Sequence, residues 1–188
     1  MRALFAFALA SLTLATTPTR ANANANGFDL ARALGDVGES AASRARLRCN
    51  ACAAAADAVV EFGRAFRARR DGRLKKTDVE DVIARACARV ERELGLALEA
   101  NACTERFSED GSVARARGGW ITAYASEACA LAMDDENEDV FVRAWSESGE
   151  EGRVEICFER SRACASAEDA RDANGRGARG ERANEREL

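Results

Sequence analysis

The reactive chemistry of this chain is concentrated in its seven cysteines. Two of them stand together in Arg48-Cys49-Asn50-Ala51-Cys52. A Cys-x-x-Cys pair works as a redox dithiol when one thiol has a lowered pKa and a partner disulfide can reach it. Arg48, next in the chain, could stabilise such a thiolate. The pair could instead supply half of a zinc site, with Cys157 and Cys164 as the other half, since four thiolates complete a tetrahedron. The gap between Cys157 and Cys164 is loose for a zinc knuckle, and the expectation is no metal and no cofactor. In the third reading each cysteine is bonded to a distant one. No βαβ pattern of the thioredoxin kind surrounds the pair, so this structural reading leads. Cys87 and Cys129 lie one on each of two middle helical segments. Cys103 is the odd cysteine. It is a candidate reactive thiol or intermolecular bridge, against the plainer reading of a free cysteine in a loop.

Much other chemistry is excluded by composition. The chain has no histidine, which removes Ser-His-Asp, Cys-His and His-metal arrangements together. Its 28 basic and 32 acidic residues give a net charge of −4 and are mixed along the chain. No concentrated basic face points to nucleic acid. The acidic run Asp134 to Asp139 could ligate calcium loosely, but it reads better as a solvated connection.

The elements that must position the cysteines follow from periodicity. Residues 1–23 have the form of a signal peptide: Arg2, an apolar run from Leu4 to Ala15, and A-x-A sites around residues 21–25. That run is short for a membrane span, and no later stretch reaches the length, so no transmembrane segment is expected. Residues 24–44 read as a lead-in. A helix is predicted from Ala45 to Arg69, with Cys49, Cys52, Ala56, Val59, Val60, Gly63 and Phe66 on one face. Thr77-Asp78-Val79-Glu80 has the form of a capping box for a second helix running to Leu98, with Cys87 facing inward. Residues 100–118 keep no period and read as a loop. Trp120 opens a third helix through Cys129. A fourth carries Val140, Phe141 and Trp145, and a last one carries Cys157 and Cys164. Trp120, Tyr124, Phe141 and Trp145 read first as core and second as a contact surface. From Ala165 no apolar residue larger than Ala appears before Leu188, so residues 167–188 are expected to be disordered.

A cysteine pair, two single cysteines on middle helices and a closing pair resemble the saposin-like fold. Leu47 to Cys52, Gly119-Trp120, the Cys157-to-Cys164 spacing and the terminal Glu185-Arg186-Glu187-Leu188 together look like the canopy-related (DUF3456-type) family. That resemblance implies an all-α bundle of four to five helices over residues 45–166, stapled by three nested disulfides: Cys49–Cys164, Cys52–Cys157 and Cys87–Cys129. Residues alone leave fifteen pairings of six cysteines open. The resemblance further implies a folding factor or co-chaperone of the endoplasmic reticulum lumen, acting on secretory-pathway clients, with lumenal chaperones as further partners; with Cys49 and Cys52 read as structural, no catalysis is expected. The terminal tetrapeptide would be its retention signal, with Arg186 and Glu185 departing from the usual pattern; secretion is the alternative. Two other activities stand behind this one: thiol–disulfide exchange at Cys49, Cys52 or Cys103, and saposin-type lipid binding.

Overall fold

The computed structural model describes residues 30–69, 75–146 and 149–175. The expected signal peptide and the retention-like tetrapeptide lie outside the described residues. So does Asp71-Gly72, the expected break after the first long helix.

A single long helix organises the fold. After a short turn of helix α1 (Leu30–Leu34), α2 spans Ala41–Arg67. Ser40 caps it, its side chain accepting from the Ser43 N–H at 3.0 Å. Its alanine-rich sequence favours helix, and Arg64 and Arg67 suit the C-terminal end of the dipole. The buried face of α2 holds Leu47, Ala51, Cys52, Ala55, Ala56, Val59 and Gly63. Small side chains let several elements approach at once. α2 packs on α3 (Lys76–Glu93), α4 (Trp120–Ala132), α5 (Glu138–Ala144), α6 (Gly149–Val154) and α7 (Ala167–Asp172). Gly63 marks the closest approach: a Cβ there would fall 1.9 Å from the indole of Trp145.

α3 begins earlier than the capping-box pattern predicts. Its N-cap is Lys75, and Asp78 reaches back to accept the Lys75 N–H at 3.1 Å. Thr77 therefore lies inside the first turn and Glu80 just beyond it, and the carboxylate three residues beyond the cap does the satisfying.

α3 ends at Glu93 rather than Leu98. Strands β1 (Gly95–Glu99) and β2 (Ala102–Ser108) form an antiparallel hairpin, and β3 (Arg115–Ala116) pairs with β1 in the order β2-β1-β3. The chain is therefore mainly helical with a small sheet, in place of the all-α bundle expected. Ala100 and Asn101, both with positive φ (48° and 67°), make the two-residue turn. Gly95 permits the pairing with β3, because a Cβ on it would meet the Ala116 carbonyl oxygen at 2.6 Å. Leu94, Leu96 and Phe107 bury against the helices.

α6 runs on into a π-helical stretch, Glu155–Arg160, which carries Cys157. The fold does not stop at residue 166. α7 and a turn at Ala173–Gly175 dock on α2 and β2, burying Ala170 and Ala173. Alanine suffices there because the anchoring is polar, as shown below. Of the aromatic residues, Phe141 and Trp145 are core, Tyr124 is half-buried, and Trp120 is 39% exposed.

Candidate binding cleft

Cys49 and Cys52 sit one helical turn apart on α2, so both sulfurs leave the same face. Each is used up in a long-range bond: Cys49 to Cys164 and Cys52 to Cys157, with sequence separations of 115 and 105. All four residues are buried, Cys49 most exposed at 6%. The pair is not a free dithiol.

The third expected bond is absent. Cys87 on α3 and Cys129 on α4 meet in the core as two thiols, Cys87 Sγ lying 3.7 Å from the Cys129 carbonyl oxygen. The side-chain hydrogen bond from Cys87, followed by burial, pushes the Cys129 thiol far up from its ordinary value. Disulfide formation needs a thiolate, and the raised Cys129 thiol disfavours one.

Cys103 is not in a loop. It lies on β2, opposite Leu98, and is only 8% exposed. Burial raises its thiol pKa, the opposite of what a nucleophile requires. Native chain treated with iodoacetamide near neutral pH is therefore expected to label Cys103 on the order of tenfold more slowly than an unstructured thiol. After unfolding in denaturant without reductant, mass spectrometry should count three labelled cysteines: Cys87, Cys103 and Cys129. A count of one would mean that Cys87 and Cys129 are bonded.

The first turns of α2 are tied to β2 through Glu105. Its carboxylate accepts from Ser43 Oγ at 2.6 Å and from Arg46 Nη2 at 2.9 Å, with a second short contact from Arg46 Nε. Arg46 foremost holds the Glu105 carboxyl below its ordinary value of 4.5. A depressed folded-state pKa contributes stability that is complete above the ordinary carboxylate range and is lost as pH falls through the folded value. Glu105→Gln is thus expected to lower the neutral-pH midpoint in urea while leaving the midpoint at strongly acid pH nearly unchanged. Equal shifts at both pH values would remove the Arg46–Glu105 link from the account.

Asn50, inside the Cys-x-x-Cys segment, is a feature that a cysteine-centred reading passes over. Its Nδ2 donates to the Glu105 carbonyl at 2.8 Å, its Oδ1 accepts from Asn174 N–H at 3.0 Å, and its own carbonyl accepts from Asn174 Nδ2 at 2.8 Å. Asn174 Oδ1 in turn accepts the Phe107 N–H at 2.7 Å. Two asparagines thus cover the outer edge of β2, where unpaired backbone would otherwise be exposed. A polar residue between two core cysteines and an Asn-Gly at 174–175 were the available signals; Asn174 takes the left-handed φ of 60° that Asn tolerates.

The α7 segment is held a second way. Arg153, 4% exposed, donates to Asp57 at 3.1 Å and to the Arg171 carbonyl at 2.8 Å. Its Nε is buried without a hydrogen-bond partner.

Between α2, β2 and the docked C-terminal segment lies an open cleft of about 470 Å3. Cys49 is in its wall, with Arg46, Arg48, Arg106 and Arg162 around it and Asp169 and Asp172 on the α7 side. No protein-family model, curated protein or solved structure matches this chain.

The remaining candidates are dispersed. In the acidic run, Asp134 caps a turn by accepting from the Glu136 N–H at 3.1 Å, and Asp139 pairs with Arg143 and Arg160. Among the described residues no three His, Cys, Asp or Glu side chains could hold a metal ion, and no helix is long and apolar enough to cross a membrane. Trp120 and Tyr124 meet edge to face at 5.9 Å beside a shallow groove under α1, away from the arginine-lined cleft.

Proposed function

We propose that this chain is a binding factor of the secretory pathway, a folding factor or co-chaperone of the endoplasmic reticulum lumen that holds client proteins on a disulfide-stapled helical body. The observation that carries the reading is the consumption of Cys49 and Cys52 in two buried, nested bonds to the end of the fold. Such bonds form in an oxidising compartment, and they leave the Cys-x-x-Cys pair a staple rather than a catalyst. The nesting, outer to outer and inner to inner, supports the saposin-like, canopy-related kinship. The sheet and the thiols at Cys87 and Cys129 are departures from it.

Thiol exchange at Cys103 is disfavoured by the raised pKa. Lipid binding would need apolar helix faces turned outward. Among the described residues only Trp120 and Met133 are large, apolar and exposed.

The test is a client-holding assay. A reduced, denatured secretory protein is diluted into buffer with and without the oxidised chain, and aggregation is followed by light scattering. Suppression at near-equimolar ratio, with no change in the client's rate of disulfide formation, is the expected result. Faster disulfide formation without suppression would favour an oxidoreductase instead. Sedimentation of the chain with anionic vesicles would favour the lipid reading.

A further inference from the structure

The cleft beside Cys49 has walls of opposite sign. Arg46 and Arg48 come from α2, Arg106 from β2, and Arg162 from the turn between Cys157 and Cys164; Asp169 and Asp172 face them from α7. Arg46 is engaged by Glu105, which also lines the cleft, and Arg106 by Glu99, but the other two arginines are held weakly. Arg48 lies 3.5 Å from Glu127, and both side chains are more than half exposed at 53% and 54%. Arg162 has no carboxylate partner among the described residues, only the Phe158 ring 5.5 Å from its guanidinium carbon. Exposed pairs of this kind contribute about 0–1 kcal/mol, so an incoming carboxylate can take their place. Guanidinium forks bind carboxylates in pairs of parallel hydrogen bonds.

The backbone adds a second observation. Arg162 is held at φ 57°, a left-handed conformation for which glycine is the default. The Cys49–Cys164 and Cys52–Cys157 bonds fix the chain on either side of it. The position costs backbone strain and sets a guanidinium at the mouth of the cleft.

We infer that this cleft docks an acidic segment of a polypeptide. Glu or Asp side chains of the segment meet the arginine wall, while Asp169 and Asp172 receive its backbone N–H groups or an occasional lysine. The mixed lining and the net charge of −4 argue against a uniform polyanion such as nucleic acid, whose phosphates would meet the α7 carboxylates. The inference rests on the reading of the chain as a client-binding factor and names the chemistry of what it binds.

The test uses the full oxidised chain and two fluorescein-labelled peptides of equal length, one alternating Glu with Gly and Ser, the other with Lys in place of Glu. Anisotropy titrations should show binding of the Glu peptide, weakened by added salt and weakened about tenfold or more by Arg162→Glu and by Arg48→Glu. Asp172→Asn should tighten it. Both arginines are exposed, and circular dichroism with intact disulfides confirms that each variant folds. No binding, equal binding of the Lys peptide, or indifference to both arginine variants would overturn the inference. The client-holding assay run on Arg162→Glu separates the two claims. Unchanged suppression with lost peptide binding would support the cleft as an acidic-segment site and leave the function standing, but overturn the claim that clients are held there. Arginine-dependent peptide binding by a chain that holds no client would overturn the function and leave the cleft.

Discussion

Removing both nested disulfides, as in Cys49→Ala with Cys52→Ala, is expected to leave the chain largely unfolded at physiological temperature, whereas removing either one is survivable. The two bonds span 115 and 105 residues, and each alone would constrain the unfolded chain by about 4–5 kcal/mol in the chain-entropy treatment. They are nested, however. With one bond in place, the other closes only the short ring through residues 49–52 and 157–164, on the order of a dozen residues, which is worth about 3 kcal/mol. Loss of the Cys52–Cys157 bond alone should therefore lower stability by about 3 kcal/mol, and loss of both by about 7. The second figure rivals the whole stability of a domain of this size. Urea unfolding of Cys52→Ala/Cys157→Ala, Cys49→Ala/Cys164→Ala and the quadruple variant measures it. A quadruple variant no less stable than either double variant would contradict the nested account.

Asp57→Ala is expected to lower stability by about 3–5 kcal/mol, an effect larger than that of any exposed ion pair in the fold. Its partner Arg153 has a side chain only 5% exposed, against 13% for Asp57. Truncating Asp57 leaves that guanidinium buried without its counter-charge, with Nε already unpartnered. Arg153 also carries the hydrogen bond to the Arg171 carbonyl, so amide exchange in α7 should quicken along with the global loss. Replacing both partners by apolar residues, Asp57→Leu with Arg153→Met, should recover most of the loss, because the charge to be solvated is gone. A cost under about 1 kcal/mol for Asp57→Ala would mean that water reaches Arg153 and that the pair is a surface feature.

Much of the helical framework was legible in the residues. The face running through Cys49, Cys52, Ala56, Val59 and Gly63 predicts α2, and Trp120 does open α4. These follow from local spacing, which the helix period translates directly into a face. The assignments that failed depend on partners far along the chain. Leu94 to Leu98 continues an apolar run and reads as helix, yet it pairs as a strand because β2 and β3 offer it a ladder and Gly95 lets β3 approach. Residues 167–175 lack large apolar side chains and read as disordered, yet Asn174 and the Arg171 carbonyl find fixed polar partners on Asn50 and Arg153. Composition measures what a segment can bury, not which hydrogen bonds a neighbouring surface holds ready for it.

By itself the sequence determined the chemistry that is missing, the number of cysteines and the helical faces that carry most of them. It did so because composition is absolute and periodicity is local. Tertiary structure alone decided that Cys87 and Cys129 meet as hydrogen-bonded thiols, that Cys103 is buried on a strand, and that four arginines from three separate stretches surround one cleft. Each of these depends on the distance and orientation of groups tens of residues apart, set only when the elements pack around α2.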